Sequence, residues 1–286
     1  MTTRPRRSCL TVPGSSAKML AKAAGLAADE VVVDLEDGVA PADKDAARSR
    51  LGEAAARGTL AVRINAVGTA WWRDDLDAVA VRRPDVVVLP KAASAEDVRQ
   101  VIELLPAGIG LEVQIESARG LVEVERIAAL GAPLEALVFG PGDFSASMGI
   151  PVLTIGSGTF DYPLARISVA AHAYGLQAID GPCADLRDLA GLRRAAQIAL
   201  GHGFDGKWVV HPDQIEPVNE AFTPSAEELE QARRILAAGA GASLVDGEMV
   251  DDATKRMAAT VLARAGVFKG TTPGVESPLP THERNA

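Results

Sequence analysis

Aromatic residues are scarce in this chain: Phe, Trp and Tyr make up 4% of its 286 residues. The core must therefore be filled by Ala, Val and Leu, and the 48% hydrophobic content supplies enough of them for a sizeable one. Cysteine is scarcer still. Cys9 and Cys183 cannot form a disulfide framework or a CxxC site, so a reducing cytoplasmic compartment is expected. The four histidines include no pair at metal-ligand spacing, which disfavours zinc. No run approaches the roughly 20 apolar residues of a membrane span. The apolar stretch behind the basic start, Cys9 to Val12, is too short for a signal peptide. Positive charge is not in excess either. A formal net charge of −9 argues against nucleic acid as a partner, while leaving room for a local basic pocket.

What is present is a strict alternation. Val31-Val32-Val33 reads as a buried parallel strand, and Asp34, Glu36 and Asp37 crowd its C-terminal end. Further strands are expected at Ser8–Val12, Leu60–Ile64, Asp85–Leu89, Ile109–Ile115, Leu134–Phe139, Leu176–Ile179 and Gly206–Val210. Helices are expected between them at Ala17–Ala27, Lys44–Arg57, Trp71–Val81, Ser94–Leu105, Leu121–Leu130, Leu164–Tyr174 and Leu186–Leu200. A Gly-rich insertion is expected up to Gly158. Eight such strands point to an α/β protein of the (β/α)₈ TIM-barrel type, occupying residues 1–222. Two more helices, Ser225–Ala237 and Asp252–Ala265, are expected beyond it, joined by Gly-rich residues 238–247. The tail, residues 268–286, lacks periodicity and is expected to be mobile.

The strands stop on chemistry: Glu36 and Asp37, Arg63, Lys91, Glu116, Asp143, Asp180 and His211. In a barrel that end carries the active site. Glu116 and Asp143 close adjacent strands. They are either a metal pair suited to Mg²⁺, which takes one or two carboxylates and fills its octahedron with water and substrate, or a helix cap and a turn closure. Arg63 either grips a substrate carboxylate with its planar fork or makes a salt bridge at the mouth. Lys91 is either an imine-forming lysine or a partner for the acids, and the second is favoured. Asp251 stands where the last helix begins, as a cap would. Trp71, Trp72 and Trp208 read as packing.

The succession RSCLTVPGSSAKML, VVVDLEDGVAP with DKDAAR behind it, VRIN, VVVLPKA, QIESARG, FGPGDFSASMG, GLQAIDGP, GFDGKWVVHPDQI, FTPSAEELEQARRIL and VDGEMVDDA resembles the citrate lyase beta-subunit-like, malyl-CoA lyase-like branch of the HpcH/HpaI aldolase family. The likeness runs over about residues 6–265. It implies a barrel with a C-terminal helical lid, here residues 223–267, that completes a neighbouring subunit's site in a trimer or hexamer. It implies Mg²⁺, replaceable by Mn²⁺, on Glu116 and Asp143, with Glu36 and Asp37 holding the metal's waters. It gives substrate contact to Arg63 and Glu116, catalysis to Arg63 and Asp251, and coenzyme A binding to Arg7, Lys18 and Lys22. His211 is given a structural or cofactor-adjacent role. The implied reaction is reversible cleavage of a 3-hydroxyacyl-CoA, such as malyl-CoA or a methylated analogue, into a 2-oxo acid and an acyl-CoA. The likeness also admits a citryl lyase subunit acting on an acyl-carrier-protein thioester, a malyl-CoA thioesterase or malate synthase, and a non-catalytic assembly subunit.

Overall fold

Short runs of β-branched residues make the strands: β1 (Ser8–Pro13), β2 (Glu30–Asp34), β3 (Thr59–Arg63), β4 (Val86–Leu89), β5 (Gly110–Ile115), β6 (Leu134–Phe139), β7 (Gln177–Asp180) and β8 (Gly206–Val209). They are nearly all buried along their length, as strands covered on both faces must be. The computed structural model describes residues 4–238 and 241–268. The eight strands pair in parallel in chain order, and β8 closes on β1. The helices are α1 (Ala17–Ala23), α2 (Lys44–Ser49), α3 (Trp72–Arg82), α4 (Ala95–Leu104), α5 (Ala118–Ala128), α6 (Pro141–Ser147), α7 (Asp161–Ala173), α8 (Leu189–Gly201) and α9 (Ile215–Phe222). This is the (β/α)₈ barrel that the alternation predicts. Among the described residues no helix is long and apolar enough to cross a membrane.

Period-two alternation sorts each strand into an outer and an inner face. Val31 and Val33 join the large cluster beneath the helices, whereas Val32 packs inside the barrel with Cys9, Ala61, Val88, Val138 and Trp208. Polar residues share that inner face: Glu30 and Asp34 flank Val32 on β2, Thr59 and Arg63 flank Ala61 on β3, Glu112 and Gln114 lie on β5 with Glu116 just beyond it, and Gln177 precedes Ile179 on β7. The interior is thus polar below, apolar in the middle and polar at the mouth.

The lower layer is a closed ionic plug. The Arg6 side chain is 1% exposed, and its Nε lies 3.1 Å from Glu30 and 2.6 Å from Glu112. Its other nitrogens bond Glu135 and Gln177. Three carboxyls around one guanidinium leave an excess of acid. Burial, and then the charge of Glu30, push Glu112 well above the usual carboxylate range, with Arg6 opposing. The folded state therefore holds the Glu112 proton to higher pH than the unfolded chain does, and Glu30 Oε1 and both Glu112 oxygens have no hydrogen-bond partner among the described residues. The pH sign follows. Below the unfolded-state value near 4.5 both states hold this proton. Above it the unfolded chain ionises and the folded one does not, so the stability contributed here is lost as pH rises toward the folded value. Glu112→Gln should remove that slope. Its stability relative to the parent should rise as pH climbs above the unfolded-state value near 4.5, by no more than ~1.4 kcal/mol per unit. Urea denaturation with parallel pH profiles for the two proteins would refute it.

The described residues divide into two compact units between Thr223 and Pro224. In the second, α10 (Ala226–Ala237) starts on a capping box in which Ser225 and Glu228 exchange hydrogen bonds. It packs against α11 (Asp252–Phe268). The residues between them do not form a plain linker. An antiparallel hairpin pairs β9 (Ser243–Val245) with β10 (Glu248–Val250). Its Asp246-Gly247 turn has φ of 51° and 86°, the type I′ geometry. Residues 269–286, nearly all of the expected tail, lie outside the described residues.

Other boundaries differ from expectation for local reasons. The helix expected over Lys44–Arg57 leaves α geometry at Ser49 and ends in a 3₁₀ turn at Glu53, where Arg82 takes up the free carbonyls of Leu51 and Ala54. The Gly-rich insertion contains α6, started by Pro141 at the first helical position. The eighth unit contains α9, which follows a 3₁₀ turn capped by His211.

Candidate active site

Strands β2 to β6 are consecutive around the barrel, so their C-terminal ends form one arc of the mouth. Arg63 ends β3, and Asp34 ends β2 directly beside it. The guanidinium grips Asp34 with two bonds, Nε to Oδ1 at 2.8 Å and Nη2 to Oδ2 at 2.6 Å. Nη1 lies 3.2 Å from Glu36. Burial alone would lower the Arg63 pKa, but Asp34 and Glu36 raise it, and in return Arg63 overcomes the effect of burial and holds Asp34 below its usual range. Asp34 also accepts the Glu36 and Gly38 backbone N–H groups, each at 2.8 Å. A Cβ at Gly38 would lie 2.4 Å from the Asp34 carboxylate, so glycine is what lets the acidic loop fold back on it. Lys44 Nζ pins the same loop from below through the carbonyls of Leu35 and Glu36 and through Asn65.

Glu116 follows β5 and is 4% exposed. It does not cap α5, because Ser117 does so by accepting the Gly120 N–H. Instead Oε1 accepts the Lys91 backbone N–H at 2.6 Å. A Cβ at residue 140 would lie 2.3 Å from Oε2, so Gly140 keeps that oxygen's side clear. Burial, then the charges of Glu36 and Asp143, push Glu116 up to about 8, with Arg63 opposing. Asp143 lies in the first turn of α6, half-exposed, 3.8 Å from Lys91 Nζ. Nζ itself sits 2.6 Å from Glu36 and 2.9 Å from Asp37. Those bonds outweigh burial and raise the Lys91 pKa, which opposes the neutral amine that an imine-forming lysine needs.

Of the residues singled out in the sequence, Glu36, Asp37, Arg63, Glu116 and Asp143 are thus brought together. Arg7 is not. It precedes β1 and so belongs to the opposite end of the barrel, where Asp29 binds it through both carboxylate oxygens and Thr223 accepts from it at 2.8 Å. It cannot reach a ligand at the mouth. Lys18 and Lys22 are exposed on α1, without an ion-pair partner among the described residues. Asp251 belongs to the second unit and caps α11, accepting the Thr254 N–H and hydroxyl at 2.9 Å each, and these bonds lower its pKa. His211 likewise caps a turn, through the Asp213 N–H. Asp34, one of the acids crowded at the end of β2, completes the mouth with Lys44 and Asn65, whose partner carbonyl at Leu35 lies 9 and 30 residues away in sequence, so no local pattern exposes those two.

The profile of the HpcH/HpaI aldolase/citrate lyase family matches residues 7–212. The chain belongs to that family. A profile for carbon–carbon bond lyases of the TIM-barrel fold overlaps it over residues 167–270. Among curated family relatives, an L-malyl-CoA/beta-methylmalyl-CoA lyase of Cereibacter sphaeroides is 37% identical over 302 aligned positions, covering 92% of this chain and 95% of that protein. A (3S)-malyl-CoA thioesterase of the same species is 37% identical, covering 91% and 95%. Among solved structures, the CitE protein of Mycobacterium tuberculosis with magnesium, acetoacetate and coenzyme A is 40% identical, with a TM-score of 0.79 over 91% of this chain and 97% of that one. A citrate lyase beta subunit from the same organism, with oxaloacetate and magnesium, gives 37% and 0.69 over 78% and 98%.

The mouth suits the hard cation held by those family structures. Its donors are all oxygen, Glu116 keeps one oxygen clear, and the repulsion that raises Glu116 is what a divalent ion would relieve. Among the described residues no three His, Cys, Asp or Glu side chains form a ready cage. Two carboxylates with water and substrate are what Mg²⁺ commonly takes.

Proposed function

We propose that this chain is a Mg²⁺-dependent carbon–carbon lyase of coenzyme A thioesters. It splits a 3-hydroxyacyl-CoA, such as malyl-CoA or a methylated analogue, into a glyoxylate-like 2-oxo acid and an acyl-CoA, and runs the reaction in reverse. The observation that carries this reading is the convergence of Glu116, Asp143 and Arg63 on neighbouring strand ends. The end-to-end likeness to malyl-CoA lyases supports it.

In this reading Glu116 and Asp143 hold the metal, which when bound supplies Lewis-acid polarisation to the acid end of the substrate. Glu36 and Asp37 hold its waters. Arg63 is already oriented by Asp34, so it meets the substrate carboxylate or a developing oxyanion without paying for its own ordering. Cleavage removes the proton from the hydroxyl, breaks the bond to the thioester α-carbon and returns a proton to that carbon. Asp251 is the proposed acid/base there, carried on residues 223–267 acting as a lid at a neighbouring subunit's site. That arrangement makes the enzyme a homo-oligomer, a trimer or hexamer. Lys18 and Lys22 are the proposed phosphate contacts. The proposed setting is cytoplasmic, in keeping with two free cysteines.

The test is mass spectrometry after incubation with Mg²⁺ and malyl-, methylmalyl- or citramalyl-CoA. A 2-oxo acid with a shortened acyl-CoA is expected. Free coenzyme A with an intact hydroxy acid would instead favour hydrolysis, the second reading that the thioesterase relative supports. No turnover of any of the three would overturn both. Asp251→Asn should slow solvent hydrogen exchange at the acetyl-CoA methyl by about 10²-fold. An unchanged exchange rate would remove Asp251 from the mechanism.

A further inference from the structure

Lys91 reaches both sides of the mouth, the acids after β2 and those after β5 and β6. Its backbone N–H donates to Glu116 Oε1 at 2.6 Å. Its ammonium lies 2.6 Å from Glu36, 2.9 Å from Asp37 and 3.8 Å from Asp143. The backbone that allows this is left-handed, with φ of 52°, which a residue carrying a Cβ adopts at a cost. Glycine would relieve that cost but would leave Glu36 and Asp37 without the ammonium that lies against them, beside an Arg63 guanidinium already bound to Asp34. That ammonium is what a lysine supplies here.

We propose that Lys91 is a positioning residue acting as the resident countercation of this site. Its ammonium holds Glu36 and Asp37 in place before a divalent ion arrives, and its positive charge then opposes that ion's entry. Lys91 thereby keeps metal binding weaker than the carboxylates alone would make it. The inference rests on the reading of Glu116 and Asp143 as the metal-holding pair.

Lys91→Met separates charge from backbone. Methionine keeps the Cβ, the stem and the N–H to Glu116, so the left-handed strain is unchanged and the ammonium alone is lost. Two opposite effects are expected. The metal-free protein should unfold at a lower temperature, because the acids repel without their counterion. Mg²⁺, titrated by calorimetry without substrate, should bind about tenfold more tightly, since a nearby positive charge has gone. Saturating Mg²⁺ should then restore the melting temperature. Lys91→Arg, which keeps the charge, should bind Mg²⁺ as the parent does. A lysine that merely braces the wall would give weaker binding together with lower stability, and that result overturns the proposal. Unchanged affinity in Lys91→Met overturns it too. Failure of the parent protein itself to bind Mg²⁺ is a distinct result, which removes the metal reading and this inference with it.

Discussion

Arg6→Met is expected to lower the unfolding midpoint by roughly 10 °C while leaving turnover of the surviving folded protein unchanged. The guanidinium is the sole positive group among the described residues in contact with Glu30 and Glu112, both wholly buried. Removing one partner of a buried ionic set strands the rest, at a cost of about 3–5 kcal/mol. A barrel of this length loses about 2–4 °C per kcal/mol. Methionine fills much of the space, so the loss reports charge rather than a cavity. Adding Glu30→Gln and Glu112→Gln should recover most of it, since the two wholly buried acids are then neutral and Glu135 keeps its ion pair with Arg4. Scanning calorimetry on the single and triple variants checks both halves. A midpoint within about 2 °C of the parent for Arg6→Met would refute the reading of the plug as an interdependent unit.

Glu116→Gln and Asp143→Ala should each cut Mg²⁺-dependent cleavage by at least about 10³-fold. Their effect on stability should be small and, for Glu116→Gln, favourable. Glu116 is buried beside Glu36 and Asp143 and held up to about 8, so an uncharged amide removes repulsion while its carbonyl oxygen still accepts the Lys91 N–H. Loss of activity with retained or raised stability is the signature of a site that stores charge for a ligand. Calorimetric titration with Mg²⁺ should lose its heat in both variants. Undiminished turnover in the double variant would end the assignment of these two residues.

Much of this was legible in the sequence because parallel strands announce themselves. Val31-Val32-Val33 and Val86-Val87-Val88 are buried on both faces and read as strands without their neighbours. The chemistry at their ends was legible too, since Glu116 and Asp143 follow strands that chain order makes adjacent. Arg7 shows where such reasoning slips. It stands close in sequence to the loop after β1, but it precedes that strand, and a strand's two ends lie at opposite faces of the barrel. The hairpin at Asp246-Gly247 was written in a strong turn signal that the surrounding glycines obscured. A mouth salt bridge for Arg63 and an acid partner for Lys91 were among the sequence's own alternatives; which acids each takes, Asp34 for Arg63 and Glu36 with Asp37 for Lys91, comes from pairings across the barrel that no window along the chain contains.

The layering of the barrel interior has a consequence for how this protein could change. Arg6, Glu30 and Glu112 secure closure from below, and an apolar layer through Val32, Ala61 and Trp208 separates them from the mouth. Substitutions in the loops at residues 40–43, 66–70 and 148–159, which are exposed or only partly buried, therefore fall on a rim whose support lies elsewhere. A combinatorial library confined to that rim should retain a large folded fraction, whereas the same mutational load spread over the lower layer should not. Substrate range can drift in such a molecule without first spending the stability that keeps the barrel shut.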